Sequence, residues 1–311
     1  MTATETPAIL LGEPSDVMFA TIPLTPPGPD DVVIRTHYSG VSTGTDTWVM
    51  RGVFEWDRLT FPLVPGYQRS GLVEADTGEW ERGHRVAATR SVGLVEVAPH
   101  WGAHLAVAAS PRDEVFDAEG VDPVAASLFV SAQVGVNAAS RIAAPPGARV
   151  MVIGDGIIGS SGALAAVARG FDVMVIGRRQ WRLDALAELG IPVLDARTDA
   201  DRIPDFAASA AIDTVQSDES FGYYIDVLPR TTGEVVFSGH TPDTGAAWAD
   251  MTTLQQRELT AHFVSGWTRE RLTRTLQLMR EGALPVERLV GQVAASDADA
   301  VSLMRLSLIH I

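Results

Sequence analysis

The sequence predicts an α/β protein in which a small β-rich domain precedes a doubly wound parallel sheet. Its 311 residues correspond to about two domains, taking roughly 150 residues for each. Residues 1–122 are rich in proline and glycine and carry short β-forming runs, whereas strands and helices alternate from residue 123 onward. Such alternation is typical of βαβ units around a parallel sheet.

The individual elements follow from apolar runs and the turn signals between them. In the first half, which suits a small and partly open barrel, strands are predicted at 31–35, 71–74 and 85–88. In the second half, strands are predicted at 149–153, 172–176, 192–194, 210–215 and 233–238. Helices are predicted at 123–140, from the turn after 153 to 169, at 180–189 and at 268–281, the last ending at Gly282.

Composition excludes several classes of protein. With 46% hydrophobic and 20% charged residues, the chain is neither disordered nor fibrous. It has no cysteine, which excludes disulfides, thiolate zinc sites, Fe–S clusters and a cysteine nucleophile. All 24 basic residues are arginine, so neither a Schiff-base lysine nor a P-loop lysine is available. A net charge of −15 argues against nucleic acid as a partner.

No targeting or membrane segment is expected. The N-terminus carries Glu5 and no arginine ahead of an apolar run, unlike a signal peptide. No window reaches about 18 uninterrupted apolar residues, the length needed to span a membrane. We therefore expect a cytoplasmic protein with no membrane partner.

The turn after the strand at 149–153 carries a G-x-G-x-x-G motif, which reads Gly154-Asp155-Gly156-Ile157-Ile158-Gly159. Between a strand and a helix, this motif is typical of dinucleotide binding. Gly154 allows the tight turn, Gly156 lets the backbone approach a pyrophosphate, and Gly159 lets helix and strand pack closely. The helix N-terminus at Ile157 and Ile158 faces the anion. The alternative is a glycine-rich turn with no ligand.

The end of the next strand indicates which dinucleotide is bound. A site that prefers NAD places Asp or Glu there to bind the ribose 2′-hydroxyl. This chain has Gly177, Arg178 and Arg179 instead, followed by Arg182. Gly177 makes room, and the Arg178 guanidinium offers a fork for a 2′-phosphate. We predict NADP(H) over NAD(H); the alternative is that these arginines are solvated residues at the start of a helix.

Four segments carry a family resemblance: 38–46 (YSGVSTGTD), 61–71 (FPLVPGYQRSG), 82–86 (RGHRV) and 101–104 (WGAH). In that order they resemble the catalytic loop, the P-x-x-x-G-H-E-x-x-G motif, the G-D-x-V turn and the G-x-x-A-E strand of the medium-chain dehydrogenase/reductase superfamily. These proteins are the relatives of zinc alcohol dehydrogenases. Within this superfamily, the phrases S-G-V-S-T-G-T-D and P-L-V-P-G-Y resemble the bacteriochlorophyllide a dehydrogenase subgroup, which oxidises a hydroxyethyl substituent of a tetrapyrrole.

The resemblance implies a GroES-like catalytic domain at 1–122, to which 283–311 return, and a Rossmann dinucleotide-binding domain at 123–282. It also implies a homodimer, because the family often pairs its nucleotide domains through sheet edges. In the family, the helix resembling 298–306 is followed by a turn and a last strand. The ending 306–311 instead resembles translated sequencing-adapter sequence, so we expect that strand to be missing. A natural short ending is the alternative.

The positions that hold zinc in the family carry other residues here. They are Ser42 or Thr43, Tyr67 with Gln68, and a residue near Val130. Their hydroxyl, phenol, amide and isopropyl groups are not the thiolate, imidazole or carboxylate donors that zinc needs. The family's four-cysteine structural zinc lobe is absent as well. We therefore expect no zinc, and we interpret His100 and His104 as unrelated to a metal.

Without a metal, a hydroxyl or a phenol has to stabilise the developing oxyanion. Tyr67 replaces the family's ligand histidine and is the first candidate donor, and Thr45 matches the residue that bonds the substrate hydroxyl. Asp46 is a candidate orienting or buried-pair carboxylate. The alternatives are that Tyr67 is a packed aromatic ring, that Thr45 is a turn residue and that Asp46 is a helix N-cap. Gly239 matches the family's nicotinamide-side turn; the alternative is a simple strand-end glycine.

The predicted function is a zinc-independent, NADP(H)-dependent oxidoreductase. It would transfer hydride between the nicotinamide and a small-molecule alcohol/carbonyl substrate, with a hydroxyethyl group as one candidate. Two alternatives stay open. One is an NADPH-dependent reductase of the C=C bonds of quinones or enones. The other is a catalytically silent NADP(H)-binding protein.

Overall fold

The computed structural model describes residues 4–54, 58–239 and 249–309. The chain forms two compact units, Met1–Val130 with Val290–Ile311 and Ser131–Leu289. The boundaries between the units lie at 130/131 and 289/290, whereas the predicted domain boundaries lie at 122/123 and 282/283. The last two residues of the unusual ending, 310 and 311, lie outside the described residues.

The first unit is β-rich, as predicted. One sheet has the strand order β2-β1-β4-β7 and the other has β8-β3-β5-β6-β9. The strands are β1 (Glu5–Leu11), β2 (Val17–Pro23), β3 (Asp31–Ser39), β4 (Leu63–Val64), β5 (Arg69–Val73), β6 (Arg85–Ala88), β7 (Ala98–Pro99), β8 (Val107–Pro111) and β9 (Val115–Asp117). Its helices are α1 (Thr45–Arg51), α2 (Pro123–Ala126) and α9 (Asp297–Ile309). An apolar core lies between β1, α1 and α9, with Leu11, Val49 and Met304 among its buried side chains.

The second unit contains a parallel sheet, which confirms the predicted fold class. Its strand order is β12-β11-β10-β13-β14-β15, and every neighbouring pair is parallel. The strands are β10 (Arg149–Ile153), β11 (Asp172–Gly177), β12 (Val193–Asp195), β13 (Ala210–Asp213), β14 (Glu234–Ser238) and β15 (Thr260–Val264). The helices are α3 (Phe129–Arg141), which begins two residues before the unit, α4 (Ile157–Ala168), α5 (Gln180–Glu188), α6 (Asp218–Ile225), α7 (Met251–Gln256) and α8 (Arg269–Arg280).

The predicted helix at 123–140 is wrong in one respect, because it is two helices. The Asp122 carboxylate accepts hydrogen bonds from the N–H groups of Val124 (2.8 Å) and Ala125 (3.1 Å), and so caps α2. The Ser127 hydroxyl then donates to the Val124 carbonyl at 2.8 Å, where α2 ends. Serine side chains that bond to the backbone compete with helix propagation in this way.

Helices α3 and α4 approach one another through glycine. A Cβ atom on Gly135 would lie 2.3 Å from the Ile158 carbonyl oxygen and 2.5 Å from the Gly162 nitrogen. Only glycine fits there, and the close approach fixes the helix that follows the glycine-rich turn. Among the described residues, no helix combines the length and the apolar character needed to cross a membrane.

Candidate functional site

The glycine-rich turn lies between β10 and α4, as predicted. Gly154 has φ +114°, and a Cβ there would lie 2.2 Å from the Thr214 hydroxyl oxygen. A Cβ on Gly159 would lie 2.0 Å from the Gly154 carbonyl oxygen. Both positions therefore require glycine, one for the backbone conformation and the other for the helix to pack against the turn.

The N-terminus of α4 is open to a ligand. Gly156 is its N-cap and provides no side-chain cap, and a Cβ on Gly156 would meet no atom closer than 3.9 Å. The first N–H groups of a helix have no partner within the helix, so those at Ile157 and Ile158 can bind an anion. The residues and the space around them therefore fit the pyrophosphate of a dinucleotide.

The turn also lies where the order of the strands reverses. The chain first builds β10, β11 and β12 outward, and then returns to place β13 on the other side of β10. In open parallel sheets, ligands bind at the carboxyl ends of the strands at this switch point. The position of the turn thus matches a nucleotide site independently of its glycines.

Asp213 at the end of β13 fixes the loop beside this turn. One of its oxygens accepts from the N–H groups of Val215 and Gln216, both at 2.9 Å, and the other accepts from the Ser220 hydroxyl at 3.0 Å. Burial raises the pKa of Asp213 above its usual value of 3.8, although these hydrogen bonds oppose the shift. The Gln216 amide in turn donates to the carbonyls of Ser238 (3.0 Å) and Gly239 (3.2 Å).

Gly239 is the last described residue before 249, and it has φ +100°. Its carbonyl accepts from the Gln216 amide, and Ile158 lies beside it, since a Cβ on Gly239 would be 3.9 Å from the Ile158 Cδ1. The structure therefore brings Gly239 to the glycine-rich turn.

At the end of β11 the structure brings the predicted arginines together with two carboxylates. The Arg178 guanidinium pairs with Glu219, which raises the pKa of Arg178, but both side chains are about half exposed. The Arg182 guanidinium lies 3.5 Å from Asp155, while burial and then the charge of Arg179 lower the pKa of Arg182. The Arg178 guanidinium, which was predicted to bind a 2′-phosphate, is thus paired with the Glu219 carboxylate of α6.

Asp46 and Thr45 lie in the first turn of α1, in the other unit. Gly44 is the N-cap of α1, so neither residue has that position. The Asp46 side chain is fully buried, and its Oδ2 accepts from the Ser42 N–H at 2.7 Å. The Thr45 N–H donates to the Ser42 hydroxyl at 3.3 Å. Asp46 thereby closes the loop that precedes the helix.

Asp46 also has a buried histidine as a partner. The Nε2 atom of His104 lies 3.5 Å from the Asp46 Oδ2, and its Nδ1 lies 2.9 Å from the Ser39 hydroxyl oxygen. A Cβ on Gly66 would lie 2.6 Å from the His104 Nε2, so a glycine at 66 makes room for the ring. Asp46 is therefore half of a buried carboxylate–imidazole pair.

Tyr67 belongs to an aromatic cluster of the same unit. Its ring is 7% exposed and meets Trp101 edge-on, with centroids 5.6 Å apart. Trp101 also contacts His100, at 4.3 Å between centroids, and Phe54 at 5.6 Å. The Tyr67 ring is therefore packed inside this unit, in the edge-to-face arrangement that aromatic pairs favour.

The positions of the family's zinc ligands carry no typical zinc donors. The Gln68 amide donates to the Gly40 carbonyl at 3.4 Å, and Val130 is buried. Across residues 4–54, 58–239 and 249–309, no three His, Cys, Asp or Glu side chains come together in a group that could hold a metal. His100 and His104 face different partners, the aromatic cluster and Asp46 respectively.

Comparison with known proteins finds one matching domain family and several relatives. Residues 28–105 match the alcohol dehydrogenase GroES-like domain. The chain is 27% identical over 303 residues to 2-desacetyl-2-hydroxyethyl bacteriochlorophyllide A dehydrogenase of Cereibacter sphaeroides, covering 92% of this chain and 89% of that protein. These matches support the medium-chain dehydrogenase/reductase superfamily. They also support an oxidoreductase of the alcohol dehydrogenase type.

Solved structures of this superfamily share the fold. Benzyl alcohol dehydrogenase from Acinetobacter calcoaceticus aligns with a TM-score of 0.82 at 18% identity, over 97% of this chain and 96% of its own. A Sinorhizobium meliloti dehydrogenase, described as zinc-binding and solved with NADP, aligns with a TM-score of 0.79 at 18% identity, over 92% and 91%.

The sequence showed no sign of the partners of two ionisable residues, one in each unit. Asp155 was treated only as a spacer in the glycine motif, although a carboxylate in that turn can reach the neighbouring strand end. His104 was considered only in relation to a metal, and Asp46 lies too far from it in the sequence to give a local signal. Both contacts depend on tertiary structure.

Proposed function

We propose that this protein is a zinc-independent oxidoreductase that uses NADP(H) to interconvert an alcohol and a carbonyl compound. The observation that carries the proposal is the open glycine-rich turn at the switch point of the parallel sheet, with three arginines around the end of β11. When bound, the nicotinamide donates or accepts the hydride. The chain's own residues hold the cofactor and handle the proton.

The cofactor would be held by groups of the second unit. The N–H groups at the start of α4 would bind the pyrophosphate, and Arg178, Arg179 and Arg182 supply positive charge for a 2′-phosphate. A dianionic phosphate is a stronger partner for Arg178 than Glu219, because the Arg178–Glu219 pair is half exposed and such pairs are worth at most about 1 kcal/mol.

The proton chemistry is assigned to a phenol and a hydroxyl. Tyr67 is the proposed donor to the substrate oxygen, and Thr45 is the proposed relay. Asp46, buried against His104, positions the loop that precedes Thr45. Independence from zinc is supported by the donor set, since Tyr67 and Gln68 take the place of the family's ligands.

The substrate is proposed to be a secondary alcohol or its ketone, with a hydroxyethyl substituent on a tetrapyrrole as the first candidate. The match to the Cereibacter sphaeroides enzyme over 92% of the chain supports that choice. Oxidation of NADPH should be measured with ketones, aldehydes, quinones and enones. We expect turnover with the ketones and aldehydes. Turnover confined to quinones and enones, or NADPH binding without turnover, would contradict the proposal.

We further propose that the protein is a homodimer paired through β15. This strand lies at the end of the six-stranded sheet, and its Phe263 side chain is 72% exposed. An open strand edge with an exposed aromatic ring favours strand pairing. Light scattering should give a dimeric mass that Phe263→Asp reduces to that of a monomer; a monomeric parent protein would contradict the proposal.

A further inference from the structure

The second residue of the glycine-rich turn, Asp155, reaches the end of the neighbouring strand β11. Its Oδ2 accepts from the N–H groups of Arg178 (2.8 Å) and Arg179 (2.7 Å). Its Oδ1 lies 3.5 Å from the Arg182 guanidinium. The Asp155 side chain is only 12% exposed, so its carboxylate faces these three arginines more than it faces solvent.

Gly177 is the complement of this carboxylate. A Cβ on Gly177 would lie 2.6 Å from the Asp155 Cβ and 2.7 Å from its Oδ2. Gly177 was predicted to make room for a 2′-phosphate, but in the structure the side chain of Asp155 lies against that position. In sites that prefer NAD, the acid belongs to the end of the second strand. This protein also has a carboxylate near the end of that strand, β11, but the carboxylate comes from the glycine-rich turn.

The charges around this point are nearly balanced. Four positive charges come from Arg178, Arg179, Arg182 and Arg197, and three negative charges come from Asp155, Glu219 and Asp195, which pairs with Arg197. The helix α5 begins here with no side-chain cap at Arg179, so its N-terminus adds a partial positive charge. A 2′-phosphate is attracted by the arginines and the helix, but it has to approach the charge of Asp155.

We propose that Asp155 determines how strongly this protein distinguishes NADP(H) from NAD(H). Its carboxylate occupies two N–H groups and one guanidinium that a 2′-phosphate would otherwise take, whereas a 2′-hydroxyl can donate a hydrogen bond to it. The native protein therefore binds both cofactors and prefers NADP(H) only modestly. This inference rests on the proposed nucleotide site of the second unit.

The test is the binding of two nucleotide fragments that differ in the 2′ group, 2′,5′-ADP and 5′-AMP, by calorimetry. In Asp155→Asn the amide oxygen still accepts from the backbone, but the charge is gone. We expect 2′,5′-ADP to bind about tenfold more tightly than to the native protein, because a like charge has been removed. The affinity for 5′-AMP should change less than about twofold, since an amide oxygen still accepts from a 2′-hydroxyl.

Asp184→Asn is the matched control, because Asp184 is an exposed carboxylate of α5 that bonds to Gln180 and not to the arginines. It should leave both affinities unchanged. If Asp155→Asn does not fold, Asp155→Ser removes the same charge and retains one acceptor. An unchanged ratio of the two dissociation constants in the folded variant overturns the inference.

The failure of the proposed cofactor preference is distinguishable from this result. A native protein that binds 5′-AMP more tightly than 2′,5′-ADP would contradict the preference for NADP(H). Asp155 is judged separately, by the change in the ratio between the variant and the native protein.

Discussion

Arg69 is a buried guanidinium without a carboxylate partner among the residues that the structure describes. It is 0% exposed, and burial alone lowers its pKa from 12.5 to about 9. Its terminal nitrogens donate to the hydroxyls of Thr36 (3.0 Å) and Ser110 (2.7 Å) and to the Ala108 carbonyl (3.3 Å). Its Nε has no partner there. The charge is therefore held only by neutral acceptors.

Replacing Arg69 by methionine, a side chain of similar length without charge, should stabilise the protein. A pKa lowered from 12.5 to about 9 corresponds to about 5 kcal/mol of unfavourable burial, at about 1.4 kcal/mol for each pKa unit. Three hydrogen bonds are lost, at about 1 kcal/mol each. The net expectation at pH 7 is about 2 kcal/mol of added stability, within the range known for buried charges replaced by apolar groups.

The pH dependence provides the sharper check. Below about pH 9, the pKa of Arg69 in the folded protein, the guanidinium is charged in both the folded and the unfolded protein, so the full cost of burying the charge applies. Above that value the folded protein releases a proton that the unfolded chain keeps, so the penalty declines as pH rises. The native protein should therefore gain stability relative to Arg69→Met between pH 8 and pH 10, on the order of 1 kcal/mol.

The assay is equilibrium denaturation followed by tryptophan fluorescence at pH 7, 8 and 10. Arg82→Met, at an exposed turn of the same unit, is the control and should change the free energy of unfolding by less than about 0.5 kcal/mol. An Arg69→Met variant less stable than the native protein at pH 7 would contradict this prediction. A difference in stability that does not shrink toward pH 10 would contradict it as well.

Substitutions at three further positions test the proposed nucleotide site. Gly159→Ala places a Cβ 2.0 Å from the Gly154 carbonyl oxygen, so it should abolish nucleotide binding by titration and lower stability by about 1–3 kcal/mol. Asp213→Ala leaves two N–H groups without their acceptor and should lower the free energy of unfolding by about 3 kcal/mol in a denaturation experiment, whereas Asp213→Asn should lower it little. Because burial raises the pKa of Asp213, its ionised form opposes folding, and the native protein should lose stability relative to Asp213→Asn as pH rises from 4. Arg178→Asp should shift the kcat/KM ratio toward NAD(H) by about tenfold or more; an unchanged ratio would exclude Arg178 from the 2′ site.

Local sequence signals were sufficient for the first two strands of the second unit, but they gave no prediction of α6, α7 or β15. The strands at 149–153 and 172–176 were predicted within one residue of β10 and β11, because apolar β-branched runs end there at glycines. The glycine motif located the turn between β10 and α4 for the same reason, since its spacing acts over six neighbouring residues. The predicted helix at 123–140 failed because the bonds of Ser127 are specific to one side chain and do not alter the periodicity.

The electrostatics of the site could not be obtained in this way. Asp155 bonds to residues 23 and 24 positions away, and Arg178 pairs with Glu219 at a separation of 41. Asp46 meets His104 only because β3, α1 and the loop after β7 fold together. A sequence shows which charges exist, but their partners depend on the register of strands that lie far apart in the chain.

The most direct test of the central claim is turnover by protein freed of metal. The protein should be dialysed against a strong chelator, its zinc content measured, and its oxidation of NADPH followed with a ketone substrate. We expect substoichiometric zinc and undiminished turnover, because Tyr67 and Gln68 replace the family's ligands. One zinc per chain, with activity lost on chelation and restored by zinc, would contradict the account.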